Sequence, residues 1–304
     1  MKAVLTICLS PTFQKTLHFD SFKEGEVNRA SFVSETVAGK GINVSRTVQA
    51  LGRPSMNLCQ LGGCRLGEFL SYLKREDIDI GYIEVESEIR TCTTLIDRQR
   101  GVITELVENA REVDKSASER FFKLFFEKID AYEAVVISGT KAKGFSSSLY
   151  PEIVREAKRR GKLVIIDIKG DELMNCLEEG PDIIKPNLSE FASTFLSDTV
   201  IYEGVEDVSI YGNVETICAD IFRKYKARTV LTRGKYDTWV YDGKSLVTIP
   251  AIKNDETIIN TVGCGDTLTG AMTHSLLNGD DLKTSVRFGM ECALKRATGH
   301  AICR

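Results

Sequence analysis

Residues 258–272 read Ile-Ile-Asn-Thr-Val-Gly-Cys-Gly-Asp-Thr-Leu-Thr-Gly-Ala-Met: an apolar pair, a turn flanked by Gly263 and Gly265, and a helix opening at Asp266. Glycine at both positions lets the backbone bend tightly and come close to a ligand, with no Cβ in the way. The first turn of a helix presents N–H groups without intrahelical partners, and its dipole favours anions there. A carboxylate beside such a cradle is what phosphoryl transfer to an alcohol needs: the amides hold a phosphate while Asp266 takes the hydroxyl proton. The same residues also suit a plain helix cap after a strand-to-helix turn. Short glycine motifs alone do not decide between the two.

The rest of the chain bounds the choice. Its 304 residues, 42% hydrophobic and 27% charged, are enough for one large α/β domain with a sizeable core. A net charge of −3 leaves no polybasic footprint, so nucleic acid is not an expected partner. No apolar run approaches the ~20 residues that span a bilayer, and no membrane association is expected. The N-terminal Ala3–Leu9 segment reads as a buried first strand and not as a signal peptide. Nine cysteines without a Cys-x-x-Cys pair, beside three histidines, point to reduced thiols in a cytoplasm. Cys59 and Cys64 are expected to be small buried apolar residues.

Strand-like and helix-like segments alternate along the chain. Val4–Leu9, Met56–Leu61, Ala134–Ser138, Leu163–Asp167, Asp182–Lys185 and Thr229–Thr232 are short apolar runs. Helical spacing follows from Lys40 to Leu51 and at Gly67–Lys74, Leu149–Arg160, Thr216–Tyr225 and Asp281–Ala297. The alternation predicts an α/β fold with a mainly parallel central sheet and helices on both faces. Ligands in such sheets bind outside the carboxyl ends of the strands. Two stretches interrupt the pattern. Leu17–Phe22 and Val27–Thr36, with Gly25 between them, alternate partially, and Thr91–Leu106 reads as a hairpin turning at Arg98–Gly101. Strands drawn from about 16–36 and 91–107 would form a small β-sheet lid that excludes water, or an antiparallel extension of the main sheet. Asn109–Ser118 is charged and reads as a surface connection. Residues 1–304 are expected to form a single domain.

Two further clusters carry chemistry. Ala38-Gly39-Lys40-Gly41-Ile42-Asn43 places glycines on both sides of a lysine at a helix start, a second backbone pocket suited to an anion. Lys40 supplies a point charge there, and the Asn43 amide suits hydroxyls. In Lys185-Pro186-Asn187-Leu188-Ser189-Glu190, Asn187 and Glu190 share a helix face. That pair suits an Mg²⁺ that keeps several waters, or equally a capping box with Asn187 as N-cap.

Ala38-Gly39-Lys40-Gly41-x-Asn43, Asn187-x-x-Glu190 and Gly263-Cys264-Gly265-Asp266, in this order and across the whole chain, resemble the ribokinase-like (PfkB) family of carbohydrate kinases. Val27-Asn28-Arg29, Leu61-Gly62-Gly63, Arg90, Ser138-Gly139 and Thr232-x-Gly234 fit as well. The closest similarity is to the 1-phosphofructokinase and tagatose-6-phosphate kinase branch, whose acceptor already carries one phosphate. The resemblance implies a ribokinase-like fold, ATP and Mg²⁺ as cofactors, and Asp266 as general base. The amides of Gly263, Cys264, Gly265 and Asp266 would hold the γ-phosphoryl. Lys185, Asn187 and Glu190 would lie by the ATP phosphates and the metal, with Asn187 and Glu190 reaching Mg²⁺ through water. Thr232 and Gly234 would border the nucleotide, with Gly299 by the adenine. Gln14, Arg29, Gly39, Lys40, Asn43, Arg90 and Ser138 would face the sugar or its phosphate.

Departures from that pattern concentrate on the acceptor side. The branch usually has Leu-Asn-Pro-Ala-x-Asp after its first strand, where this chain has Leu9-Ser10-Pro11-Thr12-Phe13-Gln14. Gln14 keeps a donor and an acceptor but has no charge to grip a diol, a loss of ~1.5–3 kcal/mol for a charge-assisted hydrogen bond. Thr140-Lys141-Ala142-Lys143 stands where Leu-Pro is expected, and its lysines either enlarge the anion pocket or face solvent. Asp237 replaces a common glycine. Three functions follow: a kinase of fructose 1-phosphate or tagatose 6-phosphate, a kinase of a free sugar or nucleoside, and a binder without turnover. Lys40, Arg90, Lys141 and Lys143 favour the first, Gln14 the second, and Asp266 disfavours the third. Apolar lid faces would pair two chains into a homodimer.

Overall fold

In the computed structural model, residues 2–196 and 209–302 are described, and they contain a nine-stranded sheet and a separate four-stranded sheet. The large sheet is built from β1 (Val4–Cys8), β4 (Ser55–Gly62), β5 (Asp79–Val85), β8 (Ala134–Ser138), β9 (Leu163–Asp167), β10 (Ile183–Ile184), β11 (Arg228–Leu231), β12 (Thr238–Tyr241) and β13 (Leu246–Ile249). Its order is β13-β12-β11-β10-β9-β8-β1-β4-β5. Pairing is parallel from β5 to β11, with Val4 opposite both Ser55 and Ala134, and antiparallel at β11–β12 and β12–β13.

Every residue of β1 and β8 is buried, as expected of parallel strands covered on both faces. Alternate residues feed two cores. Leu5, Ile7, Val135 and Ile137 pack with α3 (Ala117–Lys128), α4 (Leu149–Arg159), α5 (Gly170–Leu177) and α7 (Tyr211–Tyr225). Val4, Ala134 and Val136 pack on the other side with α1 (Lys40–Ala50), α8 (Cys264–Asn278) and α9 (Leu282–Ala297). The two remaining helices are α2 (Leu66–Arg75) and α6 (Leu188–Phe195). From β1 the chain builds outward to β4 and β5, then returns to β8 and builds the other way. That reversal leaves a crevice at the carboxyl ends of β1 and β8, where open α/β sheets bind ligands.

The small sheet is separate, which excludes an extension of the main one. Its order is β3 (Phe32–Ala38), β2 (Thr12–Phe19), β6 (Arg90–Asp97), β7 (Val102–Val107). The hairpin β6–β7 turns at 98–101 as expected, and β2 pairs parallel to β6 with Gln14 opposite Cys92. The first lid strands are shifted from their expected bounds. β2 begins at Thr12, directly after β1, because Phe13 is drawn into the core beside Phe69, Ile42 and Leu61. Val27 is exposed on the connecting loop, and β3 runs only from Phe32.

Other expectations are corrected. Cys64 is exposed, at the turn after β4, while Cys59 is buried as expected. The cysteines among the described residues are unpaired, and Cys303 lies outside them. The 109–118 connection is partly internal: Val113 is buried and bonds to the Lys143 carbonyl, and Ala117 begins α3. Ile258 and Ile259 are half exposed and form no strand, so α8 follows a loop. No helix of the described residues is long and apolar enough to cross a membrane.

Candidate active site

The crevice is filled from three directions, and its centre is the N-terminus of α8. Gly263, the N-cap, has φ 80°, a left-handed conformation that glycine takes without strain. A Cβ there would sit 2.9 Å from the Arg296 guanidinium, whose Nε donates to the Val262 carbonyl at 3.0 Å. The Cys264 N–H turns back to Thr261 and that of Thr267 to Gly263. The Gly265 and Asp266 amides have no backbone acceptor among the described residues and remain the open donors of the first turn. A Cβ on Gly265 would lie 3.9 Å from Lys185 Nζ, which places an ammonium directly over that turn. Amides and ammonium together form an anion cradle.

Asp266 does not cap its helix. No side chain caps α8, and the Asp266 carboxylate is buried, accepting from Asn43 Nδ2 at 2.7 Å. The cap reading of the 263–266 segment fails on this geometry. Asn43 reaches it because α1 and α8 pack side by side, close enough for Gly270 to approach Thr47 and the Val44 carbonyl.

Asp167, which sequence reading passed over, is the second buried carboxylate. It closes β9 and lies 3.2 Å from Lys185 Nζ and 3.9 Å from Lys40 Nζ, with Ser138 Oγ and Thr269 Oγ1 each donating at 3.4 Å. An aspartate at the carboxyl end of an apolar strand was the available signal, though many strand ends carry one. The two aspartates titrate in opposite directions. Burial pushes Asp266 up to about 6, against the opposing charges of Lys40 and Lys185 and the Asn43 hydrogen bond. Burial acts on Asp167 the same way, but Lys185 and Lys40 beside it outweigh burial and hold it below the usual carboxylate range. Carboxylates driven apart like this mark a proton acceptor beside a permanently ionised anchor.

Lys40 opens α1 after Gly39, whose φ of 144° suits glycine and where a Cβ would come within 2.5 Å of Cys8 Sγ, and the Lys40 charge is strengthened chiefly by Asp167. Its Nζ also lies 3.6 Å from Glu190 Oε1. Lys40 therefore stands with Asp167 and Glu190, against Gly139 after β8. Asn187 and Glu190 form the capping box: Asn187 Oδ1 accepts from the Glu190 amide at 2.7 Å and Glu190 Oε2 from the Asn187 amide at 3.1 Å. Thr232 joins them through a bridge to Asn187 and a bond from the Leu188 amide. Gly234 is exposed just beyond, and Gly299 is packed on Ile259 in the approach to α8.

On the acceptor side the residues are spread more widely. Gln14 lies on lid strand β2 and donates from Nε2 to Thr94 Oγ1 at 2.9 Å. Arg90 donates to the Glu108 carbonyl at 2.8 Å and the Ser10 carbonyl at 3.1 Å, leaving a buried Nε and the buried Ser10 Oγ without partners. Ser138 is fully buried and faces Asp167. Arg29 is exposed on the loop between β2 and β3. The four-cation pocket does not form as expected: Lys141 is neutralised by a salt bridge to Glu172, and Lys143 is exposed. Asp237 is structural, accepting from the Ala251 amide at 2.7 Å.

A metal would find few free ligands here. No group of three or more His, Cys, Asp or Glu among the described residues could hold one, and the capping box occupies Asn187 Oδ1 and Glu190 Oε2. Glu190 Oε1 and Asp167 remain, a set that fits Mg²⁺ carried mainly by phosphate oxygens and water.

The model of the pfkB family carbohydrate kinases matches residues 12–301. The tetrameric inhibited form of phosphofructokinase-2 from Escherichia coli superposes with a TM-score of 0.84 at 21% identity, over 99% of this chain and 96% of that one. A possible 1-phosphofructokinase from Thermotoga maritima gives 0.84 at 23% identity, over 98% and 92%. Ribokinase from Thermotoga maritima gives 0.73 at 17% identity, over 98% and 93%. At these identities the structures establish the ribokinase-like fold.

Proposed function

Because the chain belongs to the pfkB family of carbohydrate kinases, we propose that it transfers the γ-phosphoryl group of ATP to a hydroxyl of fructose 1-phosphate or tagatose 6-phosphate, the whole chain serving as one cytoplasmic kinase domain. The observation that carries this reading is the pair of buried aspartates at the α8 N-terminus, with Asp266 raised to about 6 and Asp167 held ionised.

Asp266 takes the proton from the acceptor hydroxyl as it attacks phosphorus. Its position near pH 6 leaves it ionised at neutral pH and basic enough to accept. The Gly265 and Asp266 amides and Lys185 stabilise charge on the phosphoryl oxygens as the bond to ADP breaks. Asp167 anchors the ammonium groups of Lys185 and Lys40 so that they face the phosphates. Mg²⁺ would be held through water by Glu190 Oε1 and Asp167, with Asn187 fixing Glu190 through the capping box, and would supply charge neutralisation on the nucleotide phosphates. Thr232, Gly234 and Gly299 border the nucleotide, and Gln14, Gly39, Asn43, Arg90, Ser138 and the outlying Arg29 belong to the acceptor side.

The lid sheet closes over this crevice and excludes water. Phe32 and Val33 on edge strand β3, and Leu106 and Val107 on edge strand β7, are about half exposed and support pairing of two chains into a homodimer. Gln14, neutral and tied to Thr94, favours a second reading in which a free sugar or nucleoside is the acceptor. A coupled ADP-release assay across sugars, sugar phosphates and nucleosides separates the two. Turnover on fructose 1-phosphate or tagatose 6-phosphate is expected, and turnover on free sugars alone would overturn the acceptor assignment.

A further inference from the structure

A chain of polar contacts runs from Asp266 and Asn43 to the lid through Arg46 and Glu76, which have no role above. Asn43 Nδ2 donates to Asp266 Oδ2 at 2.7 Å, and Asn43 Oδ1 accepts from Arg46 Nη1 at 2.7 Å. Arg46 sits one helical turn after Asn43 on α1, so the two side chains share a face. Its Nη2 donates to the Val37 carbonyl of lid strand β3 at 3.0 Å, and its Nε to Glu76 Oε2 at 2.8 Å. Glu76, which closes α2, also accepts from Thr36 Oγ1 of β3 at 3.2 Å.

The direction of these bonds matters more than their number. A guanidinium only donates, so the atom of Asn43 facing Arg46 is its oxygen. The amide nitrogen is then forced toward Asp266, where it serves the ionised carboxylate. Without Arg46 only the Asp266 carboxylate orients the amide, and that hold lapses whenever the carboxyl is protonated. Asn43 cannot be fixed from its other neighbours, because the Asp266 carboxylate alone selects the amide only while it is ionised.

We propose that Arg46 is a positioning residue for phosphoryl transfer: held by lid strand β3 and Glu76, it fixes the Asn43 amide that aims Asp266 at the acceptor hydroxyl. This rests on Asp266 acting as the base. It also makes the register of β3 against α1 part of the catalytic geometry, since the Val37 carbonyl is one of the two anchors of Arg46.

Arg46→Met and Arg46→Lys test it, assayed on the acceptor that the wild-type enzyme turns over. Both are expected to lose roughly tenfold or more in kcat, the scale of a misplaced reacting group, with the KM for ATP within about twofold. Lysine does not rescue, because one ammonium cannot span Asn43 Oδ1, Val37 and Glu76 in the same fork. The acid limb of kcat/KM, near pH 6 in the wild type, is expected to move up, because the hydrogen bond from Asn43 favours ionised Asp266. The other groups facing Asp266 are Lys40 on α1, Asp167 at the end of β9 and Lys185 after β10, and the substitutions leave them in place. A folded variant with wild-type kcat, or with a reduced kcat and an unmoved acid limb, would overturn the proposal. Should Arg46→Met not fold, Arg46→Lys keeps the charge against Glu76 and carries the same outcomes. A wild-type protein that turns over no acceptor would sink the kinase reading itself, which is a separate result.

Discussion

Asp266, Asp167 and Lys185 on the floor of the site are 6%, 2% and 3% exposed, whereas Phe32, Val33, Leu106 and Val107 on the lid are 54%, 51%, 54% and 63% exposed. The floor is made of strand ends and helix starts already fixed by two cores, and each of those three charges has a partner within the cluster. The lid contributes Gln14 and leans on the body through Phe13, Val37 and the Arg65–Glu35 salt bridge. Chemistry that needs preorganised charge sits where the fold is over-determined. On the proposed function, acceptor choice would sit on a sheet that a few substitutions can remodel.

The largest test of that division is Asp266→Asn, which is expected to lower kcat by roughly 10²–10⁴-fold. The same substitution should stabilise the protein. The folded carboxyl titrates at about 6, above its ordinary 3.8, so ionisation costs stability as pH rises through that window. The cost is fully present above pH 6 and absent below about pH 4, and it amounts to as much as about 3 kcal/mol. Urea melts at pH 5 and pH 8 check it: the gain should be larger at pH 8, and a loss at pH 8 would contradict the assignment. Asp167→Ala removes one partner from a buried pair and leaves Lys185 uncompensated, which should destabilise the fold by about 3–5 kcal/mol in the same melts. Unchanged stability would mean the pair is not buried in solution.

The lid side is sharpened by Gln14→Asp. Restoring a carboxylate should lower the KM for fructose 1-phosphate or tagatose 6-phosphate by about 10- to 100-fold, with kcat for ATP turnover little changed. No change would remove position 14 from the sugar site. The smallest effect is on the pH profile: kcat/KM should fall about tenfold per unit below pH 6, as the base is protonated. A profile flat from pH 5 to 8 would leave Asp266 without its proton-accepting role.

Much of this division was legible in the sequence, and the exceptions have physical causes. The alternation of short apolar runs with amphipathic helices located β1, β4, β8, β9, α1, α2, α4, α7 and α9, because buried strands are short continuous apolar runs and their covering helices carry a helical period, while α8 was read from its glycine turn. The antiparallel strands β12 and β13 at one end of the sheet span only four residues each and give no such signal. Asp167 was missed because its role depends on Lys40 and Lys185, which are far away in sequence. Lys141 looked like a free cation because Glu172, its partner, stands on α5, 31 residues further along the chain. The start of β2 was misplaced because Phe13 packs on the body while the strand hydrogen-bonds in the lid. The capping box at Asn187 and Glu190 was readable, since a cap is local.

Gly39 is the only residue between the end of β3 and the start of α1. A Cβ at that position would come within 2.5 Å of Cys8 Sγ, so the link has no slack. One inserted residue would rotate the helix by about 100° about its axis relative to the strand. Lys40 and Asn43 would then swing away from the crevice together. The loop at 20–31 tolerates length changes by contrast, since it crosses solvent. Grafting a foreign lid onto this body to change its acceptor should therefore cut within that loop and leave the junction at residue 39 untouched.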